Sequence, residues 1–154
     1  MSLNNNPFIK VTKKFSFDMA HALDGYDGPC KNIHGHTYTL SVTLKGQVIN
    51  EIGNPKNGMV LDFSVLKKIV TETILAHYDH ALVLNENASY SKSEVISNEF
   101  EKVILAPYQP TCENLLLHFV EILQAYFKDA IQLAVVQLEE TPSSYATWSV
   151  EDNK

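Results

Sequence analysis

The stretch CKNIHGHTY, Cys30 to Tyr38, puts a thiol, two imidazoles two residues apart and a phenol within nine positions. Two histidines at i and i+2 on a strand point to the same side, so both rings can reach one metal ion with bonds of about 2.0–2.1 Å. Alone, that spacing is a poor signal. In KKFSFDMAH, however, Phe15, Phe17, Met19 and His21 share one parity, which adds a third imidazole to an apolar face. Three imidazoles on such a surface are costly unless something satisfies them, and a metal does. With His21, His34 and His36 as ligands, a tetrahedral zinc keeps its fourth position open, as catalytic sites do. Cys30 has two readings that spacing does not separate. It either fills that fourth position and makes the site structural, or stays free beside Lys31 and the candidate cation, a setting that suits a reactive thiolate.

Other groups invite weaker readings. Asp79-His80 lies just past a predicted helix end, where the carboxylate could orient the imidazole as a proton carrier; such pairs in loops are usually solvated surface. Glu140 ends an apolar row in IQLAVVQLEE. It is either the frayed end of a strand or a carboxylate that accepts two hydrogen bonds from the amidine-like edge of a guanine or pterin ring. Cys112, in the first turn of a helix, reads as a packing residue, and His77 and His118 have no partner in the pattern.

The elements that must position these groups follow from periodicity. HGHTYTLSVTLKG places His34, His36, Tyr38, Leu40, Val42 and Leu44 on one face of a second strand, with threonines opposite. ALDGYDGPCKNI between the strands is a loop. Antiparallel pairing would bring all three histidines to one end of a hairpin with Cys30 above them. A turn-rich QVINEIGNPKNG leads to a helix with apolar positions from Leu66 to Ile74, capped by Asp62 or Ser64. PTCEN starts a second helix with Thr111 as N-cap and Glu113 in its first turn; Leu115, Phe119, Ile122, Leu123 and Tyr126 form its expected buried stripe. IQLAVVQLEE and SYATWSV are strands. Between Glu86 and Tyr108 the pattern is weak, with a helical turn near SNEFE and an edge strand at KVILA. The order is β-β-α-α-β-β, an α+β fold in which two helices cover one face of an antiparallel four-stranded sheet.

Composition narrows the class. The 154 residues suit one domain, expected over residues 8–150, between a loose leader at 1–7 and a short tail at 151–154. Twelve lysines, no arginine and a net charge of −6 argue against nucleic acid as a partner. Two cysteines in unlike settings fit a reducing compartment, and no apolar run approaches a membrane span, so a soluble cytoplasmic protein is expected. No Gly-rich dinucleotide signature is present.

FDMAH, CKNIHGH, GMVLDF, YDHALVLN, PTCEN and LEET occur in the order and rough spacing of the 6-pyruvoyl-tetrahydropterin synthase / 6-carboxytetrahydropterin synthase (QueD) family, which residues 8 to 150 resemble. The resemblance implies a T-fold subunit, ββααββ, in a homo-hexamer of two stacked trimers with active sites at subunit interfaces. Carried over by position, it implies a Zn2+ held by His21, His34 and His36, a catalytic thiol at Cys30, and a proton-transfer pair at Asp79 and His80. Glu140 would anchor the pterin with help from Thr111 and Glu113. The implied activity is that of a zinc-dependent carbon–oxygen lyase acting on 7,8-dihydroneopterin triphosphate. LDF, DHALVLN and PT-x-EN look more like the QueD branch, whose products are 6-carboxytetrahydropterin and acetaldehyde on the way to queuosine. The pyruvoyl branch shares the ligands and is the alternative; a binding module with structural His3Cys zinc is the alternative of another class. A third branch carries glutamate in place of the loop cysteine. Two features depart from the pattern: Asn85 to Gln109 is longer than in compact bacterial members, and without arginine the triphosphate falls to lysines such as Lys31.

Overall fold

The long hairpin that carries the histidines organises the molecule, whose computed structural model describes residues 6–153. Strand β1 (Phe8–His21) pairs antiparallel with β2 (His34–Gln47) from Phe8 opposite Gln47 to His21 opposite His34. Phe15 faces Leu40, Phe17 faces Tyr38 and Met19 faces His36, so residues of one parity meet across the pair and form one buried face. Ser16, Asp18 and Thr37, of the other parity, are exposed.

Helix α1 (Phe63–Val70) starts at Asp62, whose carboxylate accepts from the Ser64 amide at 2.8 Å. It runs on through a π-helical stretch, Thr71–Leu75, into the single turn α2 (Ala76–Tyr78). Strand β3 (Ala81–Asn85), helix α3 (Glu94–Glu99) and strand β4 (Val103–Ala106) follow. Helix α4 (Cys112–Gln124) is capped by Thr111 Oγ1, which accepts from the Asn114 amide. Strands β5 (Gln132–Thr141) and β6 (Ser144–Ser149) close the chain.

The core lies between the hairpin's apolar face and these helices. Leu66, Val70 and Ile74 from the first helical segment and Leu115, Phe119 and Leu123 from α4 pack on Phe17, Tyr38, Leu40 and Val136. The α4 stripe differs from expectation at its end: Leu116 and Val120 are buried, whereas Tyr126 lies beyond the helix and is 53% exposed.

The sheet also departs from the expected four antiparallel strands. It has six, in the order β4-β3-β1-β2-β5-β6, with β3 parallel to β1 and β4 parallel to β3. ALVLN is the reason β3 escapes a periodicity reading. Its residues Ala81 to Leu84 are all buried, so it lacks the apolar–polar alternation that marks a half-buried strand. The long segment after it turns back to supply β4. Beside it, Leu82, Leu84 and Ala22 form a small second cluster with Tyr90, Ile96 and Val103.

Most of the expected leader, residues 1–5, lies outside the described residues. Asn6 is tied to the end of β2 by a 2.9 Å bond from its amide to the Val48 carbonyl, and Glu151 of the expected tail pairs with Lys10 at 3.3 Å. Among the described residues no helix is long and apolar enough to cross a membrane.

Candidate active site

At the His21–His34 end of the hairpin the three imidazoles converge. Ring centroids stand 4.5 Å apart for His21 and His34, 5.1 Å for His34 and His36, and 5.3 Å for His21 and His36. One nitrogen from each ring lies within 4.8 Å of the others, so these residues could hold a metal ion.

Their hydrogen bonds select the nitrogens. His21 Nδ1 lies 2.6 Å from the Pro110 carbonyl and His34 Nδ1 lies 2.8 Å from the Asn32 carbonyl. A carbonyl only accepts, so Nδ1 donates in both rings and Nε2 is the nitrogen free to ligate in the neutral tautomer. This backbone–imidazole relay is how metal-binding histidines are commonly oriented. The Nε2 atoms of His21 and His36 are buried and have no hydrogen-bond partner among the described residues. Two orphaned buried ring nitrogens beside a third imidazole fit a cation. Burial pulls the His21 pKa below its ordinary value, against the opposing effect of the Pro110 carbonyl. The ring is therefore held neutral, the form that ligates.

A cavity of about 300 Å³ opens beside the cluster and is lined by the three histidines together with Cys30, Thr111, Cys112, Glu113, Glu140 and Tyr145. Cys30 sits on a single 3-10 turn, Pro29–Lys31, and its carbonyl accepts from the Leu23 amide at 2.9 Å, which closes the loop over the hairpin end. Its sulfur is not part of the set of mutually close metal donors. Glu140 Oε1 approaches His21 Nε2 at 3.5 Å and His36 Nε2 at 3.8 Å, and accepts a hydrogen bond from the Tyr38 hydroxyl at 3.2 Å. Cys112 donates to the Leu138 carbonyl, and burial followed by the Glu140 charge pushes its thiol up to about 11. It packs as a protonated thiol.

Asp79 and His80 lie elsewhere. The Asp79 carboxylate accepts from the Asp18 amide at 3.0 Å and meets His80 Nδ1 at 3.0 Å, while the His80 amide donates to the Asp18 carbonyl at 2.6 Å. The bond from Asp18 is the main cause that holds the Asp79 pKa below its usual range. His80 takes φ 61°, a left-handed conformation at the turn into β3. It borders a larger cavity, about 760 Å³, lined also by Asp18, His36, Thr37, Leu82, Phe100 and Lys102. Asp18 and Thr37 belong to the parity opposite the histidine face, and His80 and Cys30 line different cavities that share His36. The smaller cavity is the one that brings all three histidines together with Cys30 and Glu140.

The residue that periodicity passed over is Tyr38. Parity makes it a core residue behind the histidines, and it is fully buried. What parity cannot give is its hydroxyl's partner, Glu140, 102 positions away in the chain. Lys102 was equally silent in the sequence. Its ammonium donates to the Ala76 carbonyl at 2.9 Å and the Asp79 carbonyl at 2.6 Å, tying the segment before β4 to the turn that bears His80.

Comparison with known proteins gives the lineage. The chain is 36% identical over 142 residues to a 6-carboxy-5,6,7,8-tetrahydropterin synthase of Haemophilus influenzae, covering 91% of this chain and 98% of that protein. It is 31% identical over 145 residues to the synthase of the same description from Bacillus subtilis, with 91% and 84% covered. The fold is similar to that of Caenorhabditis elegans 6-pyruvoyl tetrahydropterin synthase, with a TM-score of 0.64 at 26% identity over 93% of this chain and 96% of that one. It is also similar to a Wolinella succinogenes protein described as uncharacterized, with a TM-score of 0.75 at 18% identity over 94% and 99% of the two chains. A profile of the 6-pyruvoyl tetrahydropterin synthase family matches residues 10–151, and on that span and those identities the chain belongs to this family.

Proposed function

We propose that the protein is a zinc-dependent 6-carboxytetrahydropterin synthase that converts 7,8-dihydroneopterin triphosphate and water to 6-carboxytetrahydropterin, acetaldehyde and triphosphate. The observation that carries the reading is the set of convergent imidazoles, with orphaned Nε2 atoms on His21 and His36, in one cavity with Cys30 and Glu140. The full-length relatives described as 6-carboxy-5,6,7,8-tetrahydropterin synthases support the product branch.

His21, His34 and His36 would hold the zinc, which when bound supplies a Lewis acid for the substrate's side-chain hydroxyls. Glu140 accepts hydrogen bonds from the pterin edge, and Thr111 and Glu113, at the start of α4, border the same space. Cys30 exchanges a carbon-bound proton on the face it overhangs. His80, steadied by Asp79, serves the opposite face of the substrate. Since His80 and Cys30 line different cavities of one chain, a complete set takes His80 from a second copy, which supports active sites at subunit interfaces, as in the homo-hexamer that the family resemblance implies.

Incubation with 7,8-dihydroneopterin triphosphate and mass analysis tests the assignment. Acetaldehyde with a 6-carboxy product is expected; triphosphate release with a pyruvoyl side chain would move the protein to the other branch. The rival in which Cys30 is a fourth, structural ligand is tested by Cys30→Ala. Zinc content is expected to stay while turnover falls by roughly 10²–10⁴-fold, as loss of an acid–base group does. Loss of zinc together with the fold would establish the structural reading instead.

A further inference from the structure

Glu140 occupies a contested position. It falls where the β5–β6 ladder slips register between Glu139 and Thr141, and such bulges re-aim side chains. Its Oε1 stands 3.5 Å and 3.8 Å from the Nε2 atoms of His21 and His36. In a tetrahedral zinc site with bonds of 2.0–2.1 Å, neighbouring donors are about 3.4 Å apart. The carboxylate is thus within reach of either task, closing the metal site as a fourth donor or staying free to receive a substrate.

One group bears directly on that choice. Leu40 pairs with Leu138 and Thr39 with Glu139 across β2 and β5, so Tyr38 and Glu140 are the next positions along the two strands, on the histidine side of the sheet. The Tyr38 hydroxyl donates to Glu140 Oε1 at 3.2 Å. Its ring stacks on Phe17 at 5.4 Å and meets the His21 and His36 rings edge-on at 6.2 Å and 5.6 Å, which fixes where the hydroxyl points.

We infer that Tyr38 is a positioning residue: its buried hydroxyl engages Oε1, the Glu140 oxygen nearest the imidazoles, so that this oxygen is held on the phenol, and leaves Oε2 for the hydrogen-bond donors of the pterin edge. The inference rests on the reading of Glu140 as the pterin anchor and names what holds the anchor in place.

Tyr38→Phe removes the hydroxyl and keeps the ring that fills the core. The experiment measures three quantities on zinc-loaded protein: the Kd of neopterin, by fluorescence; the rate at which a chelator extracts zinc; and the melting temperature. Neopterin has the pterin edge without a triphosphate to lose. In Tyr38→Phe the Kd is expected to rise roughly tenfold, the scale of a lost hydrogen bond to a charged group. Zinc extraction should be no faster than in wild type, because the released carboxylate is an added donor. In a Glu140→Gln background the same Tyr38→Phe change should have no further effect on neopterin. A Kd within twofold of wild type, zinc extracted faster in step with a fallen melting temperature, or an undiminished effect in the Glu140→Gln background would each overturn the inference. If Glu140→Gln itself leaves neopterin affinity unchanged, the anchor reading falls and the inference falls with it. If Glu140→Gln weakens binding and Tyr38→Phe does not, only the role of Tyr38 is refuted.

Discussion

The Nδ1 bonds of His21 and His34 go to backbone carbonyls at Pro110 and Asn32, so two imidazoles are oriented by the chain itself and need no neighbouring carboxylate. The three rings are not equivalent. His21 is 2% exposed and held neutral by burial, whereas His34 and His36 are half-buried. Replacing His34 or His36 by alanine is expected to abolish stoichiometric zinc, as elemental analysis of purified protein would read, because two imidazoles seldom retain it. Glu140→Ala separates the neighbouring role. Zinc content should stay as in wild type and the Michaelis constant for the pterin should rise; an unaltered constant would remove Glu140 from the site.

Two element ends place the site, and each makes a prediction. The Thr111 cap fixes the start of α4 next to Pro110, the residue whose carbonyl orients His21. Thr111→Ala is expected to cost about 1 kcal/mol of stability by denaturant titration, the usual worth of an N-cap, and Thr111→Ser should recover most of it. A drop in zinc affinity in the alanine variant alone would tie the cap to the metal ligand. At the other end, Asp79 holds the turn into β3 through the Asp18 amide. Its pKa is depressed in the fold, so it stabilises the protein above the unfolded carboxylate value of about 3.9, and that contribution is lost as pH falls through the folded value. Asp79→Asn should accordingly lower the melting temperature at neutral pH, with the gap to wild type closing below about pH 4. A gap that persists in acid would mean the amide, not the charge, carries the effect.

Across the whole molecule the distinguishing feature is that His80 and Cys30 line different cavities. If sites form between copies, Cys30→Ala and His80→Ala chains are each inactive alone but complement one another when mixed, dissociated and reassembled. Random pairing in a symmetric oligomer restores roughly a quarter of the sites, and activity should return to that order. No recovery on mixing would place the whole reaction within one chain. The segment from Asn85 to Gln109 belongs to the same scale. It widens the sheet by β4 and fastens the His80 turn through Lys102, immediately beside the surface that complementation would probe.

Much of this protein could be read along the chain. The alternation in KKFSFDMAH and HGHTYTLSV determined which face the three histidines share, because side-chain direction in a strand has a period of two and pairing preserves it. Asp62 and Thr111 were legible as caps because an N-cap is a local bond between a side chain and an amide two or three residues on. Tertiary structure alone decided the rest. ALVLN became a parallel strand only because both its faces are covered, Tyr38 found Glu140 only through the register of two strands far apart in sequence, and His80 fell in a different cavity from Cys30. Local patterns encode direction and capping; they do not encode which distant strand lies alongside, and that adjacency sets the distances on which the chemistry depends.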